Sequence, residues 1–222
     1  MEEHFVKILE IERLTHNVRR YRVERPEGYN FIPGQATEVA IDQPRWKEER
    51  RPFTFTSLPQ DPYLEFSIKS YRERNGVTNA LDTIQPGERL ILHDVWGTIH
   101  YEDKGLFIAG GAGVTPFISI FRYLKSTDRI TGNRLLFANK SVRDVIIEPE
   151  WRSVLGKDFH SILSQEKATG HDYGHVSAEI IKPLLDLKHD FVYVCGPDPF
   201  VQTVRDFLSK LNFEEKRIVR EL

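Results

Sequence analysis

The chain has 222 residues, of which 40% are hydrophobic and 29% charged, and its formal net charge is −2 at pH 7. This length allows one large or two ordinary domains, and the nearly neutral charge argues against a nucleic-acid-binding surface. A single cysteine, Cys195, excludes an intrachain disulfide framework and a cysteine-ligated cluster. None of the eight histidines forms a pattern such as His-Glu-x-x-His, and His171 and His175, spaced i, i+4, flank glycines in a loop-like stretch. The acidic N-terminus lacks an apolar signal segment, and no uncharged run is long enough to span a membrane. We therefore expect a cytoplasmic protein without a metal site or a membrane span.

Residues 1–101 are predicted to form short strands separated by turns. Apolar or β-favouring residues alternate with polar ones in four segments: 5–11, 18–23, 36–41 and 63–68. Proline and glycine breakers lie between these segments, and a short helix is predicted at 79–84. Repeated short strands at this spacing favour an antiparallel β-barrel or sandwich.

Strand-like and helix-like segments alternate from residue 102 onward. Strands are predicted at 105–109, 134–138, 159–163 and 191–195, and helices at 116–124, 178–185 and 199–211. This alternation predicts an α/β domain with a parallel sheet and right-handed crossovers. The chain is accordingly predicted to contain two domains, residues 1–101 and 102–222.

A segment in the first domain, Arg51-Pro52-Phe53-Thr54, combines three kinds of ligand-binding group. Its arginine is suited to hold a phosphate, and an aromatic ring and a hydroxyl follow. Strand alternation places Arg51, Phe53 and Phe55 on one face. Further along, Gly76-Val77-Thr78 offers N–H groups and a hydroxyl to a second phosphate contact. Taken alone, each segment is also compatible with an ordinary strand or helix N-cap.

A glycine-rich turn connects the first predicted strand and helix of the second domain. Gly110, Gly111 and Gly113 let backbone N–H groups approach a pyrophosphate, whose charge is favoured by the N-terminus of the following helix. Thr115 comes next, and Pro116 suits the first helical turn because its missing N–H would have no partner there. The turn has proline in place of the third glycine of a G-x-G-x-x-G fingerprint, and no acidic residue ends the second strand. By itself it is also compatible with a plain strand-to-helix connection.

The last predicted strand ends in Val194-Cys195-Gly196-Pro197-Asp198-Pro199-Phe200. This segment lies at the carboxyl edge, where open α/β sheets bind ligands. A small thiol beside a Gly-Pro turn can border a flat ring without crowding it, although free cysteine is also a common buried structural residue. Asp198 is predicted to be the N-cap of the final helix, with Pro199 at its first position.

The order of these four motifs resembles the ferredoxin–NADP⁺ reductase superfamily, over about residues 5–220. The resemblance implies a flavin-binding antiparallel barrel followed by an NAD(P)-binding α/β domain, with the reaction at their junction. It implies direct hydride transfer from nicotinamide C4 to flavin N5, so that the protein contributes mainly orientation. The implied flavin is FAD, with FMN as the alternative, and the implied donor is NADH or NADPH.

The resemblance also implies a role for each motif residue. Arg51 would bind the flavin phosphate, and Phe53 would stack on the flavin in place of the family's usual tyrosine. Thr54 would bring a hydroxyl near flavin N5, and Cys195 would shape the approach of the nicotinamide without acting as a nucleophile. The other implied flavin contacts are Pro52, Ser67, Ile68, Lys69, Gly76, Val77 and Thr78. The implied NAD(P) contacts are Gly110, Gly111, Gly113, Thr115, Pro116, Cys195, Gly196, Pro197, Asp198 and Phe200.

The donor is predicted from the segment after the third strand of the second domain. It reads Leu163-Ser164-Gln165-Glu166, where a carboxylate favours NADH, while Lys140 and Arg143 supply positive charge nearby. With one cysteine in the chain, the electron acceptor is expected to be a separate carrier such as flavodoxin or ferredoxin, or a small molecule. Basic residues form a candidate docking face, unless neighbouring glutamates balance them: Arg45, Lys47, Arg50, Arg51, Arg72 and Arg74.

Other functions share these motifs. The chain is also compatible with the reductase component of an oxygenase, or with a free flavin or ferric reductase. A further alternative is a flavin-binding electron-transfer subunit that does not itself turn over NAD(P)H. The last is a nucleotide-binding module without redox chemistry.

Overall fold

The first half of the chain forms an antiparallel sheet of six strands. The computed structural model describes residues 2–71, 73, 75–97 and 99–221, so Arg72 and Arg74 of the predicted docking face lie outside the described residues. The strands are β1 (His4–Arg13), β2 (Val18–Glu24), β3 (Ala36–Ile41), β4 (Arg51–Thr54), β5 (Tyr63–Lys69) and β6 (Arg89–Trp96). Their order in the sheet is β4-β3-β6-β1-β2-β5.

The sheet closes into a barrel where its two edge strands meet. Phe55, directly after β4, forms an antiparallel bridge with Phe66 of β5. Both rings are fully buried and tilt against each other with centroids 5.2 Å apart. Helix α1 (Val77–Leu81) covers one end of the barrel, where the Leu81 carbonyl accepts a hydrogen bond of 2.7 Å from the Tyr21 hydroxyl. Closure therefore depends on the segment that also carries the predicted flavin motif.

The second half forms a parallel sheet with helices on both faces. Its elements are β7 (Gly105–Gly110), α2 (Thr115–Ser126), β8 (Arg134–Asn139), α3 (Glu148–Leu155), β9 (Phe159–Leu163), β10 (Asp172–Tyr173), α4 (Ala178–Ile181), β11 (Phe191–Cys195), α5 (Asp198–Lys210) and β12 (Ile218–Arg220). The order is β10-β9-β8-β7-β11-β12. Every residue of β7 is buried, because this central strand is covered on both faces. The carboxyl ends of β7, β8 and β11 therefore meet at one edge.

The polypeptide passes from the barrel to the parallel sheet through a segment fixed by Tyr193 of β11. The Tyr193 hydroxyl accepts hydrogen bonds from the N–H groups of Glu102 at 2.9 Å and Asp103 at 3.0 Å. It donates one to the Asp103 carbonyl at 2.6 Å. Its ring is stacked on Phe107 with centroids 4.1 Å apart. One buried side chain thus anchors the start of β7.

The predicted fold class is confirmed, and the differences concern individual elements. Strands β6, β10 and β12 and helix α3 had no counterpart in the sequence prediction. Helix α1 begins at Val77, two residues before its predicted start, because Val77 and Leu81 face the barrel core one turn apart. Helix α5 begins at Asp198, so the predicted N-cap role was wrong; Pro197 is at the N-cap. Strand β4 ends at Thr54 and Phe55 follows as an isolated bridge, so the predicted alternation of Arg51, Phe53 and Phe55 stays a prediction.

In the part of the chain that the structure describes, no helix has the length and apolar character needed to cross a membrane. The domain boundary between residues 101 and 102 stays a prediction.

Candidate functional site

The glycine-rich turn after β7 winds directly into helix α2. Gly111–Val114 form a single 3₁₀ turn, and α2 follows at Thr115 without a gap. Gly111 has φ +54°, in the left-handed region that favours glycine, and no atom lies within 4 Å of the position that a Cβ would take. The Thr115 hydroxyl donates to the Ala112 carbonyl at 3.0 Å and braces the turn. The N-terminus of a twelve-residue helix consequently faces the edge where the strands end.

This turn packs directly against the Cys-Gly-Pro turn after β11. A Cβ on Gly113 would lie 2.4 Å from the carbonyl oxygen of Cys195. A Cβ on Gly110 or Gly196 would lie 2.9 or 2.8 Å from Cδ1 of the Phe200 ring. A side chain at Gly113 or Gly196 would force the two turns apart, and one at Gly110 would collide with the Phe200 ring. The sequence prediction did not include this steric requirement for glycine.

A cavity of about 570 Å³ lies between the barrel and the parallel sheet. The barrel contributes predicted flavin contacts to its lining: Pro52, Phe53, Thr54, Ser67, Ile68, Lys69 and Thr78. The other half contributes predicted NAD(P) contacts: Gly110, Gly113, Thr115, Cys195, Gly196 and Pro197. The fold therefore brings together two sets of residues that are far apart in sequence. We call this space the junction cavity.

A second cavity, of about 440 Å³, extends from the junction cavity along the ends of β8 and β9. The two share Lys69, Tyr71, Gly110, Ala112 and Pro197 in their linings. Gly111 and Phe200, both predicted NAD(P) contacts, line the second cavity, together with Asn139 and Ser164 at the strand ends. The result is one continuous cleft with the glycine turn at its middle. We call the second cavity the outer cavity.

As the structure describes them, five predicted site residues line neither cavity: Arg51, Gly76, Val77, Pro116 and Asp198. The Arg51 side chain is 46% exposed, and its guanidinium donates to the Arg50 carbonyl at 2.6 Å and to Glu49 at 3.2 Å. Val77 is buried in the barrel core, and Pro116 is buried in the first turn of α2. Their binding roles stay predictions.

Sequence reasoning missed several lining residues, notably Tyr71 and Glu221. Strands β11 and β12 pair in parallel with Val194 opposite Arg220, so Glu221 comes next to Cys195. Because β12 was not predicted, this register was not available from the sequence pattern. Tyr71 follows the predicted contact Lys69 by two residues in the same segment, which was the one signal that could have indicated it.

Cys195 has a neutral thiol at physiological pH. Burial raises its pKa to about 12, the Glu221 carboxylate acts in the same direction, and the Gly196 N–H opposes them. A thiolate is the nucleophilic form of cysteine, so a residue in this state is suited to border a ligand rather than to attack it. The non-covalent role predicted for Cys195 stays a prediction.

Charges of both signs surround the outer cavity. Lys140 and Asp144 line it, and both also line an adjoining cavity of about 240 Å³ that includes Arg143 and Gln165. The Glu166 carboxylate accepts a hydrogen bond of 2.9 Å from the Val142 N–H, which holds it beside this region. The predicted carboxylate and both predicted cations therefore lie at the same end of the cleft.

The predicted docking face consists partly of locally paired charges. The Arg50 guanidinium lies 3.3 Å from Glu3, and the Arg45 guanidinium lies 4.5 Å from the centre of the Trp46 ring. The Arg50–Glu3 and Arg51–Glu49 pairs reduce the excess positive charge of the face, whereas the neutral Trp46 ring leaves the charge of Arg45 unchanged.

The cleft suits two elongated ligands with flat rings. Small-molecule sites typically occupy about 300–1,000 Å³, and each of the two main cavities falls in that range. The absence of side chains at Gly110, Gly111 and Gly113 leaves main-chain atoms at the cleft floor, as a pyrophosphate requires. The residues present therefore fit a flavin on the barrel side and a nicotinamide nucleotide on the sheet side.

Comparisons with known proteins agree with this division. Residues 6–101 match the family model "Oxidoreductase FAD-binding domain", and residues 107–206 match "Oxidoreductase NAD-binding domain". The glycine betaine monooxygenase reductase subunit of Chromohalobacter salexigens is 28% identical over 95% of this chain, which spans 61% of that protein. NADH-cytochrome b5 reductase 1 of Eremothecium gossypii is 28% identical over 92% of this chain and 77% of its own length.

Solved structures share the fold. The FAD/NAD-binding domain of a nitric oxide dioxygenase from Vibrio cholerae has a TM-score of 0.87, with 19% identity. The match covers 98% of this chain and 97% of that one.

Proposed function

This chain belongs to the ferredoxin–NADP⁺ reductase superfamily of FAD- and NAD(P)-binding oxidoreductases, and we propose that it transfers electrons from NADH through FAD to a separate carrier protein. The observation that carries the proposal is the junction cavity. Its lining comes from both halves, with Thr54 on the barrel side and Cys195 on the sheet side. A cavity lined from both halves would bring two bound rings together, as direct hydride transfer requires.

The chain's own residues orient the two ligands. The N–H groups of the glycine turn and the N-terminus of α2 would hold the pyrophosphate of the dinucleotide. Cys195, Gly196 and Pro197 would form the wall beside the nicotinamide, and Thr54, which lines the same cavity, would bring its hydroxyl near the flavin. The flavin supplies the ability to accept two electrons together and release them singly. The protein would fix the approach of the rings, and the neutral Cys195 thiol would supply no charged acid or base there.

The donor we propose is NADH. The additional 2′-phosphate of NADPH would bring negative charge to the end of the cleft where Asp144 and Glu166 are held. Lys140 and Arg143 lie at the same end, and they would offset part of this repulsion. The proposed preference is therefore a moderate one.

The acceptor we propose is a protein that accepts single electrons. The relatives named above include a reductase subunit of a monooxygenase and a reductase of cytochrome b5, both of which pass electrons to a partner. A flavodoxin, a ferredoxin or an oxygenase component would each fit the same flavin chemistry. The predicted docking face around Arg50 and Arg51 is the proposed region of contact.

The test is an anaerobic stopped-flow titration of the FAD-loaded protein with NADH and NADPH, monitored at about 450 nm, where oxidised flavin absorbs. We expect rapid bleaching with NADH and slower bleaching with NADPH. Flavin that binds but stays oxidised with both nucleotides would refute the proposed reaction and favour the subunit without turnover.

A further inference from the structure

Helix α2 has one face that contacts the barrel instead of the sheet. This face carries Thr115, Ser119 and Arg122, which lie at positions i, i+4 and i+7 and so follow one side of the helix. Thr115 lines the junction cavity, and the two residues behind it bond to barrel main chain. Helix α2, which begins at the glycine-rich turn, is thus attached to the barrel along its length.

The first attachment is at Ser119. Its hydroxyl is fully buried and accepts a hydrogen bond of 3.1 Å from the Gly34 N–H. Gly34 has φ +101°, and a Cβ there would lie 2.4 Å from the Ile99 carbonyl oxygen and 3.2 Å from Ile120 Cδ1 of α2. Only glycine permits this close approach. Two residues further along the chain is Ala36, which lines the junction cavity.

The second attachment is at Arg122. One guanidinium nitrogen donates to the Thr56 carbonyl at 2.8 Å and to Glu65 at 2.8 Å. The other two donate to Glu150 of α3 at 2.6 and 2.8 Å. Thr56 is two residues beyond Thr54, whose hydroxyl is predicted to approach the flavin. A single guanidinium thus joins the flavin segment to two helices of the nucleotide half.

The charges around Arg122 make this attachment rigid. Glu65 is 2% exposed, and burial alone would raise the pKa of its carboxyl. Arg122, Arg20 and the Thr56 hydroxyl together outweigh burial and hold this pKa below its usual value. Both members of the pair are therefore charged, and buried hydrogen-bonded charge pairs have a narrow range of geometries.

We propose that Ser119 and Arg122 are positioning residues. By fixing α2 to the barrel, they set the distance between the proposed nicotinamide wall, residues 195–197, and the predicted flavin-binding segment, residues 51–54. The inference rests on the proposed function, because it assigns these contacts to the alignment of the two rings. Neither residue lines the junction cavity in the part of the chain that the structure describes, so each acts through Thr115 and Thr54. A displacement of about 1 Å at a reacting centre costs on the order of a hundredfold in rate.

The test compares Arg122→Lys with wild type. Lysine keeps the positive charge but lacks the planar fork that reaches Thr56, Glu65 and Glu150 together. We expect the limiting rate of flavin bleaching by NADH to fall about 10- to 100-fold. Calorimetric affinity for ADP-ribose, which lacks the nicotinamide, should stay within about twofold, since the glycine turn is untouched.

A readout independent of turnover is amide hydrogen exchange. The Thr56 N–H donates to the Glu65 carbonyl at 2.7 Å, next to the Arg122 contact. In Arg122→Lys we expect faster exchange in residues 52–57. Ser119→Ala removes the other attachment, and we expect a smaller rate loss of about tenfold with faster exchange at Gly34.

The matched control is Arg134→Lys. Arg134 donates to the buried carboxylate of Asp190 at 2.6 Å, but both residues lie in the nucleotide half at the edge of the sheet opposite the cleft. This variant should lose thermal stability while its bleaching rate stays at the wild-type level. Conversely, equal rates in Arg122→Lys and wild type would overturn the inference, as would a rate loss in Arg134→Lys of the same size.

The two proposals fail in different ways. Wild-type flavin that NADH does not bleach overturns the proposed function and the inference with it. Wild-type flavin that is bleached, with an Arg122→Lys variant that behaves like wild type, overturns the positioning role alone.

Discussion

Replacing Gly113 by alanine tests the packing of the two turns that form the sheet side of the site. The new Cβ would lie 2.4 Å from the Cys195 carbonyl oxygen and 2.5 Å from the Gly196 nitrogen. These are main-chain atoms, so no side chain can move aside and one turn must shift. Overpacking of this kind costs about 1–3 kcal/mol, and the rigid neighbours place Gly113→Ala at the upper end, which corresponds to roughly 5–10 °C in melting temperature.

The functional consequence is separable from the loss of stability. Because the shift moves the Cys195 wall, we expect affinity for NAD⁺ to fall about tenfold, while FAD content stays at the wild-type level. Calorimetry and differential scanning fluorimetry measure the two effects.

Gly156→Ala is the control for backbone strain. Gly156 has φ +55° with nothing within 4 Å of the Cβ position, and it lies after α3, away from the cleft. Because φ +55° with ψ −118° lies outside the left-handed helical region, this variant should lose about 1–3 kcal/mol, with unchanged nucleotide affinity. If Gly113→Ala and Gly156→Ala lost the same stability and bound NAD⁺ equally, the contact between the two turns would be refuted.

Three further predictions concern charged and titratable groups. Since the pKa of Cys195 is about 12, Cys195→Ser should leave the pH profile of flavin bleaching unchanged between about pH 6 and pH 9. If the bleaching rate of wild type changed with pH in this range and that of the variant did not, the thiol would not be neutral. The pKa of Glu65 lies below 4.5 in the folded chain, so its stabilisation is present above that pH and is lost as the pH falls through the folded value. Glu65→Gln should therefore make stability less dependent on pH in acid unfolding followed by circular dichroism. It should cost about 3 kcal/mol at neutral pH, because Arg20, Arg22 and Arg122 lose the buried carboxylate that they share, while Glu150 still pairs with Arg122; acid unfolding identical to that of wild type would argue against this pairing. Glu166→Lys should shift the ratio of NADPH to NADH bleaching rates about tenfold toward NADPH, the equivalent of about 1.4 kcal/mol; an unchanged ratio would place the 2′-phosphate elsewhere.

Much of the fold was accessible from the sequence because strong local patterns determine it. The apolar run before Gly110 and the period of α2 identified β7, the turn and the helix within one or two residues. Strand β6 was missed although Leu90, Ile91 and Leu92 are all buried, because a continuous apolar run lacks the alternation of a half-exposed strand. Strand β12 has only three residues and carries no pattern of its own.

The residues of the candidate site likewise divide into those that local sequence patterns identified and those that depend on long-range contacts. Motifs identified Thr54, Gly113 and Cys195, and the family resemblance added Lys69; all four line one cavity. Glu221 was not identified, since its position follows from the pairing of β12 with β11, which is a long-range contact. The attachments through Arg122 likewise depend on how the two halves pack, and no local periodicity encodes them.

Main-chain atoms form one end of the cleft and side chains form the other, and this difference has an evolutionary consequence. The wall around Gly113 and Cys195 is main chain packed against main chain, so almost any substitution at Gly113 disturbs it. The distant end is formed by side chains on separate loops, among them Lys140, Asp144 and Glu166. Point mutations there leave the reacting end intact. A lineage with this architecture can change its electron donor in small steps while it keeps its chemistry.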